Sequence, residues 1–368
     1  MIESLHIAGY KLFRDLTLPK LGRMNLFVGE NNTGKSCLLE AISIYGGWSP
    51  ISDILQVASM RSPDALRAWE ADGINEEGTS LRHPVFDLFR RESSLSKIQS
   101  ASFLVEKIGD PNSLSVRAQL HDLIVDETGQ RRYVPVAPGH VTVDHLEVAF
   151  QVLRGEALIA LITRRHLPSH DRVIDFERLF NEDAYVEHVP ASGFNDAKAA
   201  LLWDALIQGP GQERVLNWLR MIDSRIQDLD YIAGRGASRV AILKVEGEGR
   251  IPLGSMGDGV RRMFHIGLAM ATASKGILLI DEFENGLHWR VQRELWAALG
   301  KAAEAFDVQI FATTHSRDCI GGFVSASKQT GVADAKMYRL EREGDEIYAV
   351  DLSLINVEDA LELNSEVR

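Results

Sequence analysis

The stretch from Val28 to Cys37 has the residue types and spacing of a phosphate-binding turn. It reads VGENNTGKSC and contains the pattern G-x-x-x-x-G-K-S between Gly29 and Ser36. Two glycines around such a turn allow consecutive backbone N–H groups to point at phosphate oxygens. Lys35 reaches further along the phosphates, and the Ser36 hydroxyl is a magnesium ligand in this pattern. The stretch therefore predicts a site for a nucleoside triphosphate, taken here as ATP, with Mg²⁺.

The segments on either side of this turn have the patterns that such a site requires. The apolar run MNLFV at 24–28 predicts a short strand, and apolar residues then recur at helical spacing from Leu38 to Tyr45. Gly46 and Gly47 end that helix. The turn thus joins a strand to a helix N-terminus, where phosphate binds.

Further polar residues follow two apolar segments in the second half of the chain. Asp281 and Glu282 follow ILLI, which is too short for a helix and is typical of a buried parallel strand. His315 follows the next predicted strand, at 308–312. Ligands bind at the carboxyl ends of parallel strands, so we expect these residues near the phosphate turn. One carboxylate would hold magnesium, the other would orient a water, and the histidine would donate to a terminal phosphate.

Each of these residues also has a structural interpretation when it is taken alone. An Asp-Glu pair after a strand is typical of a solvated turn, and a lone histidine is typical of a packed residue. Their order along the chain, together with the glycine turn, favours the catalytic interpretation.

The remaining patterns predict an α/β chain with a mostly parallel sheet covered by helices. Strand patterns occupy the alternating opening at 5–18, the segments between 101 and 164, and 239–246. Helical patterns occupy parts of 48–95, two segments between 196 and 226 separated by Gly209-Pro210-Gly211, the stripe from Val260 to Ala271, and 289–305.

Composition limits the classes of partner and compartment. The 368 residues suffice for a large core and for two lobes or a domain with an insertion. Lys+Arg is 40 against Asp+Glu 52, and the net charge of -12 provides no general basic field for nucleic acid or anionic membranes. The two cysteines, Cys37 and Cys319, are consistent with a reducing interior. With no apolar run of about 18 residues, we expect a cytoplasmic protein without a membrane segment.

Several of these motifs together resemble one family. VGENNTGKS, LGSMGDGVRR, ILLIDEFENGLH and FATTHS are similar to segments of the ABC-type ATPase heads of the SMC, RecF and OLD (overcoming lysogenization defect) group, especially compact OLD-like bacterial ATPases. The opening IAGYKLFRDLTL and the closing MYRLEREGDEIYAVDL also resemble that group. The resemblance implies a P-loop NTPase of the ABC-ATPase type: a bilobed head with a mostly parallel core sheet, an antiparallel β lobe and a helical insertion. The core would be 1–45 and 232–368, with 46–231 inserted.

The resemblance also implies roles for individual residues. The nucleotide-binding loop would comprise Gly29, Glu30, Asn31, Asn32, Thr33, Gly34, Lys35, Ser36 and Cys37. Magnesium would be held by Ser36 and Asp281, and catalysis would involve Lys35, Glu282 as the residue that polarises water, and His315 as the switch histidine. For Cys37, the alternative is a small residue packed beneath the loop.

The ABC signature is replaced here by the segment from Ser255 to Gly259, in which Ser255 and Gly257 would bind a phosphate at a helix start. In the family, this second site contacts the γ-phosphate bound by the opposite subunit. Arg14 aligns with a basic residue that contacts nucleotide in these heads, and the alternative is a surface charge. The family's glutamine loop has two candidates without distinguishing context, Gln56 and Gln99.

By resemblance, the chain would be an ATP-hydrolysing switch that forms a homodimer, or a higher even-numbered homo-oligomer, around ATP. It would sense or control a separate effector protein in a bacterial antiphage system. The alternatives are a DNA repair ATPase similar to RecF and a scaffold that sequesters a toxin with slow ATP turnover. Several arginine pairs could contact phosphate backbones or acidic partners, but we expect most of them to lie on solvated faces. Arg261-Arg262 differs because it lies one turn inside the signature helix, near the expected dimer interface.

Overall fold

The computed structural model describes residues 1–47, 49–61, 84–90, 101–125, 131–136, 146–163, 186–207, 209–234, 239–329 and 334–362. The strands are β1 (Leu5–Tyr10), β2 (Phe13–Leu18), β3 (Met24–Val28), β4 (Ser102–Glu106), β5 (Leu114–Val125), β6 (Arg131–Pro135), β7 (Leu146–Arg154), β8 (Ala157–Ile162), β9 (Val186–Val189), β10 (Ile226–Ala233), β11 (Arg239–Val245), β12 (Gly249–Pro252), β13 (Ile277–Ile280), β14 (Gln309–Thr313), β15 (Ala335–Glu343) and β16 (Glu346–Asp351).

The α-helices are α1 (Lys35–Gly46), α2 (Pro50–Arg61), α3 (Asp196–Ala205), α4 (Gly211–Arg220), α5 (Asp258–Thr272), α6 (Trp289–Ala305), α7 (Arg317–Gln329) and α8 (Leu354–Glu362). Short 3-10 helices span Pro84–Leu88 and Leu253–Ser255. These bounds confirm the predicted strand and helix around the phosphate turn and the pair of helices on either side of Gly209 to Gly211. Gln99 lies outside the described residues.

A six-stranded sheet in the order β16-β15-β3-β14-β13-β9 forms the centre of the fold. The strands from β15 to β9 are parallel, and β16 pairs antiparallel with β15. Successive side chains of β3 enter two different hydrophobic clusters: Leu26 packs with α5 and α6, and Phe27 packs with α1. Both faces are therefore covered, which explains why the central strands are apolar at almost every position.

Strand β9 extends this sheet from within the segment 46–231, which was predicted to be an insertion. It pairs in parallel with β13, and α3 and α4 share the hydrophobic cluster of α5. The region from Val186 onward therefore packs with the core. The sequence VEHV gave no apolar run, because the middle of the strand carries Glu187 and His188, and Glu187 is paired with Lys198 at 2.8 Å.

A second sheet of seven antiparallel strands has the order β2-β1-β4-β5-β7-β8, with β6 paired to β5. It confirms the antiparallel sheet predicted between 101 and 164, and its first two strands are the opening hairpin. Phe13, Phe103 and Leu38 share one buried cluster, so this sheet packs on α1. Strands β10, β11 and β12 form a third, antiparallel sheet that leads into α5. No helix in the described ranges is long and apolar enough to cross a membrane.

Two buried amides hold the amino ends of β3 and β14 together. Asn25 Nδ2 donates to Gly22 O at 2.8 Å and to Ile310 O at 3.1 Å. Gln309 Nε2 donates to Ile2 O and Gly22 O at 2.7 and 2.8 Å, and its Oε1 accepts from Ile2 N at 2.7 Å. Buried polar groups are costly when unpaired, so these bonds stabilise the edge of the sheet opposite the phosphate turn.

We expect Gln309→Leu to lower the free energy of unfolding by about 2–4 kcal/mol, because the main-chain groups of Ile2 and Gly22 lose buried partners. Chemical denaturation measures this loss. The control is Gln227→Leu on β10, whose side chain is exposed and whose replacement should change stability by less than about 0.5 kcal/mol. Equal losses for the two variants would contradict the prediction.

Candidate functional site

The turn after β3 has a main-chain shape that requires its two glycines. Gly29 has φ 142° and Gly34 has φ 88°, in the region that side chains disfavour. A Cβ on Gly29 would lie 2.5 Å from Leu340 O, and one on Gly34 would lie 2.9 Å from the Phe13 ring. The conformation and the close packing thus explain both glycines of the pattern.

The side chains of this turn are held against its own main chain. Lys35 Nζ donates to Gly29 O and Glu30 O, both at 2.7 Å, and Thr33 Oγ1 donates to Glu30 O at 2.9 Å. Glu30, Asn31 and Asn32 are exposed, Ser36 is half-buried and Cys37 is buried. The structure therefore fits the interpretation of Cys37 as a small residue packed beneath the loop.

The Lys35 ammonium interacts electrostatically with the acidic segment at 281–284, which follows β13. Burial lowers the pKa of Lys35, and nearby negative charges oppose that shift. The charges that oppose it belong to Asp281, Glu282 and Glu284. These carboxylates are therefore close enough for their negative charges to act on the Lys35 ammonium.

Sheet register explains why these segments meet. Strand β14 lies between β3 and β13, with Thr313 beside Phe27 and Ala312 beside Ile280. The residues that follow the three strands leave the sheet at the same edge, as in other α/β sheets that bind ligands there. The phosphate turn, the Asp281-Glu282 pair and His315 are brought together in this way.

A buried threonine on the middle strand orders the acidic pair. Thr313 Oγ1 donates to Asp281 Oδ1 at 2.6 Å and accepts from Glu282 N at 2.8 Å. Asn285 Nδ2 donates to Glu282 Oε2 at 2.7 Å. Glu282 has φ 48°, a left-handed conformation that is uncommon for a residue with a side chain and that recurs at functional sites. The two carboxylates are thus fixed in different directions by different partners.

Glu284 is a site residue that the sequence reasoning missed. Its side chain is only 10 % exposed; Oε2 accepts from Thr314 Oγ1 at 2.7 Å and Oε1 accepts from His315 N at 3.0 Å. His315 Nδ1 lies 3.2 Å from the same Oε1. Glu284 therefore holds the segment that carries His315. Glu284 is the second glutamate of the motif ILLIDEFENGLH, two residues after Glu282. An acidic residue at this position cannot be distinguished by sequence from a solvated turn residue.

Arg262 does not lie on a solvated face. Its side chain is buried, and its guanidinium donates to the carbonyl oxygens of Pro190, Asp281 and Glu282. The helical stripe predicted for α5 contained apolar residues alone, so the spacing could not reveal an arginine that enters the core.

The signature segment and Arg14 differ from what the family resemblance implies. Ser255 ends a 3-10 turn and does not itself begin the helix: α5 begins at Asp258, after an exposed Gly257 with φ 85°. Arg14 donates to Glu346 at 2.8 Å, and the two side chains are 64 % and 61 % exposed. This exposed ion pair fits the surface-charge alternative for Arg14.

A cavity of about 620 Å³ opens beside the phosphate turn, within the range of small-molecule sites. Its polar lining includes Lys11, Asn32, Asp87, Arg90, Arg342 and Asp345. Asn32 of the turn and Cys37 of the first turn of α1 line the cavity, so it borders the phosphate turn.

Metal binding at this site would use few protein ligands. Across the described ranges, no group of three or more His, Cys, Asp or Glu side chains is placed to hold a metal ion. Mg²⁺ is ordinarily held by one or two protein oxygens together with substrate phosphates and waters. The Ser36 hydroxyl and the Asp281 carboxylate are oxygen ligands of the kind that this ion prefers, and they would be its protein ligands.

Comparison with known proteins identifies related sequences. Residues 145–318 match the family described as "AAA domain, putative AbiEii toxin, Type IV TA system". An "ATP/GTP phosphatase" from Helicobacter pylori is 22% identical over 351 residues, which cover 87% of this chain and 86% of that protein. A 45-residue segment, 12% of this chain and 20% of its relative, is 42% identical to an uncharacterized protein of Methanocaldococcus jannaschii.

Solved SMC head domains superpose over most of the chain at low identity. A head bound to the C-terminal winged-helix domain of ScpA gives a TM-score of 0.49 at 13% identity and covers 96% of this chain and 99% of that one. The head from Thermotoga maritima gives 0.42 at 11%, with 95% and 98% covered.

The site and the comparisons support the same class of protein, one that binds nucleoside triphosphates. A strand, a glycine turn with Lys35 and Ser36, and a helix lie beside strand-end carboxylates in an α/β fold. The matched family is an AAA domain, and the relative from Helicobacter pylori is named for nucleotide hydrolysis. The chain therefore has an α/β fold that carries a P-loop sequence beside strand-end carboxylates, and it is similar to a protein named for nucleotide hydrolysis.

We expect Thr313→Val to slow nucleoside triphosphate turnover by about 10–100-fold, because valine keeps the shape but loses the bonds to Asp281 and Glu282. Thr313→Ser retains the hydroxyl and should stay within about threefold of the wild type. Phosphate release at saturating ATP measures both. Equal rates for the two variants would show that the hydroxyl does not order the acidic pair.

Proposed function

We propose that this protein is an ATP-hydrolysing switch that dimerises around ATP and controls a separate effector. The observation that carries the proposal is the arrival of the phosphate turn, the Asp281-Glu282 pair and His315 at one edge of the core sheet. Triphosphate binding and water activation both require groups at this position. The exposed start of α5 would supply the surface that contacts the ATP bound by a second copy.

Phosphate binding falls to the turn and to the start of α1. The N–H groups between Gly29 and Ser36 would donate to phosphate oxygens, and the helix N-terminus favours their negative charge. Lys35 would exchange its carbonyl acceptors, Gly29 O and Glu30 O, for the outer phosphates. Ser36 and Asp281 would hold magnesium, which neutralises phosphate charge when it is bound.

Glu282 is the group proposed to orient the attacking water. Its second carboxylate oxygen accepts from Asn285, so the side chain has one defined orientation. His315 would donate to the terminal phosphate, with its main chain held by Glu284. These roles divide the proposed site into a phosphate-binding half and a water-activating half. The negative charges of the water-activating half act on Lys35 in the phosphate-binding half.

The nucleoside is proposed to extend into the cavity beside the turn. The cavity reaches from Asn32 and Cys37 to Lys11 on the turn between β1 and β2. Its volume of about 620 Å³ is sufficient for a base and a ribose. Use of ATP in preference to GTP is part of the proposal, which competition binding tests directly.

Dimerisation is proposed through the start of α5. Ser255 and Gly257 are exposed, and a Cβ added to Gly257 would meet no atom within 4 Å. The N-terminus of this 15-residue helix carries unpaired N–H groups and a partial positive charge. A phosphate bound by a second copy would supply the negative group, so each ATP would lie between two chains.

The effector is proposed to belong to a bacterial defence system. The matched family is described by a toxin and a type IV toxin–antitoxin system, which supports such a setting. Resemblance to compact OLD-like ATPases supports the same role, in the cytoplasm. Co-expression with the neighbouring genes followed by phage challenge tests this: protection should require both Lys35 and a neighbouring protein. Protection by this chain alone would contradict a separate effector, and a salt-sensitive DNA mobility shift by the ATP-bound protein would favour the DNA repair alternative instead.

We expect Lys35→Ala to weaken ATP binding by about 100-fold or more, because the triphosphate loses its charge-assisted donor. Isothermal titration of the full chain measures the affinity. Lys301→Ala, at an exposed position of α6, is the control and should bind ATP as the wild type does. Unchanged affinity in the Lys35 variant would refute the phosphate site.

We expect Glu282→Gln to retain ATP, to slow phosphate release by about 100-fold or more, and to prolong the ATP-dependent dimer. Phosphate release and light scattering after size exclusion measure the two effects. Glu294→Gln, an exposed position on α6, is the matched control. If the Glu282 variant hydrolysed ATP at the wild-type rate, another residue would have to activate the water.

A further inference from the structure

Arg262 is a buried cation with main-chain acceptors beneath the acidic segment. Its side chain is 4% exposed, and Nη1 donates to Pro190 O at 2.5 Å. Nη2 donates to Asp281 O at 2.6 Å and to Glu282 O at 3.1 Å. One guanidinium therefore connects helix α5, the end of β9 and the main chain of both acidic residues.

Stability alone does not explain an arginine at this position. Burial of a guanidinium is costly, and a well-packed apolar side chain is often at least as stable. Burial lowers the pKa of Arg262 to about 10, and the charges of Asp281, Glu284 and Glu282 oppose that shift. An arginine gives this position a specific hydrogen-bond geometry, because the planar guanidinium fixes the directions of three carbonyl acceptors at once.

A second contact joins the same helix to the same loop. A Cβ on Gly259 would lie 2.8 Å from Gly286 O, and one on Gly286 would lie 2.9 Å from Asp258 Cβ. The first turn of α5 therefore touches the loop at 281–286 main chain to main chain. Arg262 lies one turn further along the same side of the helix. The start of α5 and the acidic loop are thus in contact at two places one helical turn apart, first at Gly259 and then at Arg262.

Glu282 depends on outside contacts for its conformation. With φ 48°, it occupies a left-handed conformation that is unfavourable for a residue with a side chain and that persists only where its surroundings enforce it. Thr313 Oγ1 accepts from its N–H, and Arg262 Nη2 donates to its carbonyl oxygen. The two contacts lie on either side of the residue, and one of them originates on α5.

We propose that Arg262 is a positioning residue that ties the main chain of Glu282 to helix α5, so that Glu282 is aligned for water activation when the start of α5 meets the nucleotide of a second copy. This inference rests on the proposed function, and it assigns to Arg262 the connection between the water-activating residue Glu282 and the start of α5. Movement of α5 would then change the orientation of Glu282 without changing the contacts of the phosphate turn with ATP.

The test compares Arg262→Met and Arg262→Lys with Arg23→Met in the full chain. Arg23 Nη1 also donates to main-chain carbonyls, Ala303 O at 3.1 Å and Val308 O at 3.3 Å, but at the opposite edge of the core sheet. ATP affinity, single-turnover hydrolysis and the free energy of unfolding are measured for each variant. The Arg23 variant thus reports the cost of losing a structural arginine of similar bonding.

We expect Arg262→Met to slow single-turnover hydrolysis by about 100-fold, with ATP affinity within about threefold of the wild type, because the reacting groups are misplaced but the phosphate turn is intact. Arg262→Lys keeps the charge without the planar geometry and should show a loss of about tenfold. Arg23→Met should lower stability and leave hydrolysis unchanged.

Hydrolysis by Arg262→Met at the rate of Arg23→Met would reduce Arg262 to a structural residue and overturn the proposal. Should the methionine variant not fold, a wild-type rate for Arg262→Lys would overturn it equally. Failure of the proposed function gives a different result: the wild type would show no ATP turnover, or Lys35→Ala would bind ATP as tightly as the wild type.

Discussion

The hydroxyl group of Thr313 fixes the relation between two neighbouring strand ends. It donates to Asp281 and accepts from the N–H of Glu282, so the two acidic residues cannot move independently of β14. His315 follows two residues after the end of β14. The water-activating half of the proposed site therefore depends on one short contact between adjacent parallel strands, and the phosphate-binding half is positioned by the register of β14 with β3.

Three supporting residues surround this contact from different directions. Asn285 holds the Glu282 carboxylate, Glu284 holds the segment of His315, and Arg262 holds the main chain beneath both acids. Each of them contacts a site residue through a hydrogen bond to a defined atom, which is how supporting residues set the geometry of a site. Two of these residues, Asn285 and Arg262, contact Glu282, which has a left-handed conformation.

The sequence predicted features that local patterns control. The strand, glycine turn and helix around Lys35 follow from adjacent residues, as does the apolar strand before Asp281. Strand β9 was missed because Glu187 and His188 interrupt its apolar pattern, and Glu187 meets its partner Lys198 only in the folded chain. Glu284 and Arg262 were missed for the same reason: a charged residue in a motif looks solvated until its buried partners are known. The start of α5, three residues after Ser255, depends on the 3-10 turn that precedes it.

The packing around the two glycines of the phosphate turn has a consequence for how the protein matures during synthesis. Gly34 packs against Phe13 of β2 and faces Ile347 of β16, while Gly29 faces the main chain of Leu340 on β15. Strands that are far apart in the sequence therefore enclose the turn together. A nascent chain in which β15 and β16 had not yet been made would hold the complete phosphate-turn sequence but lack part of the structure that encloses it, so nucleotide binding would have to await those strands.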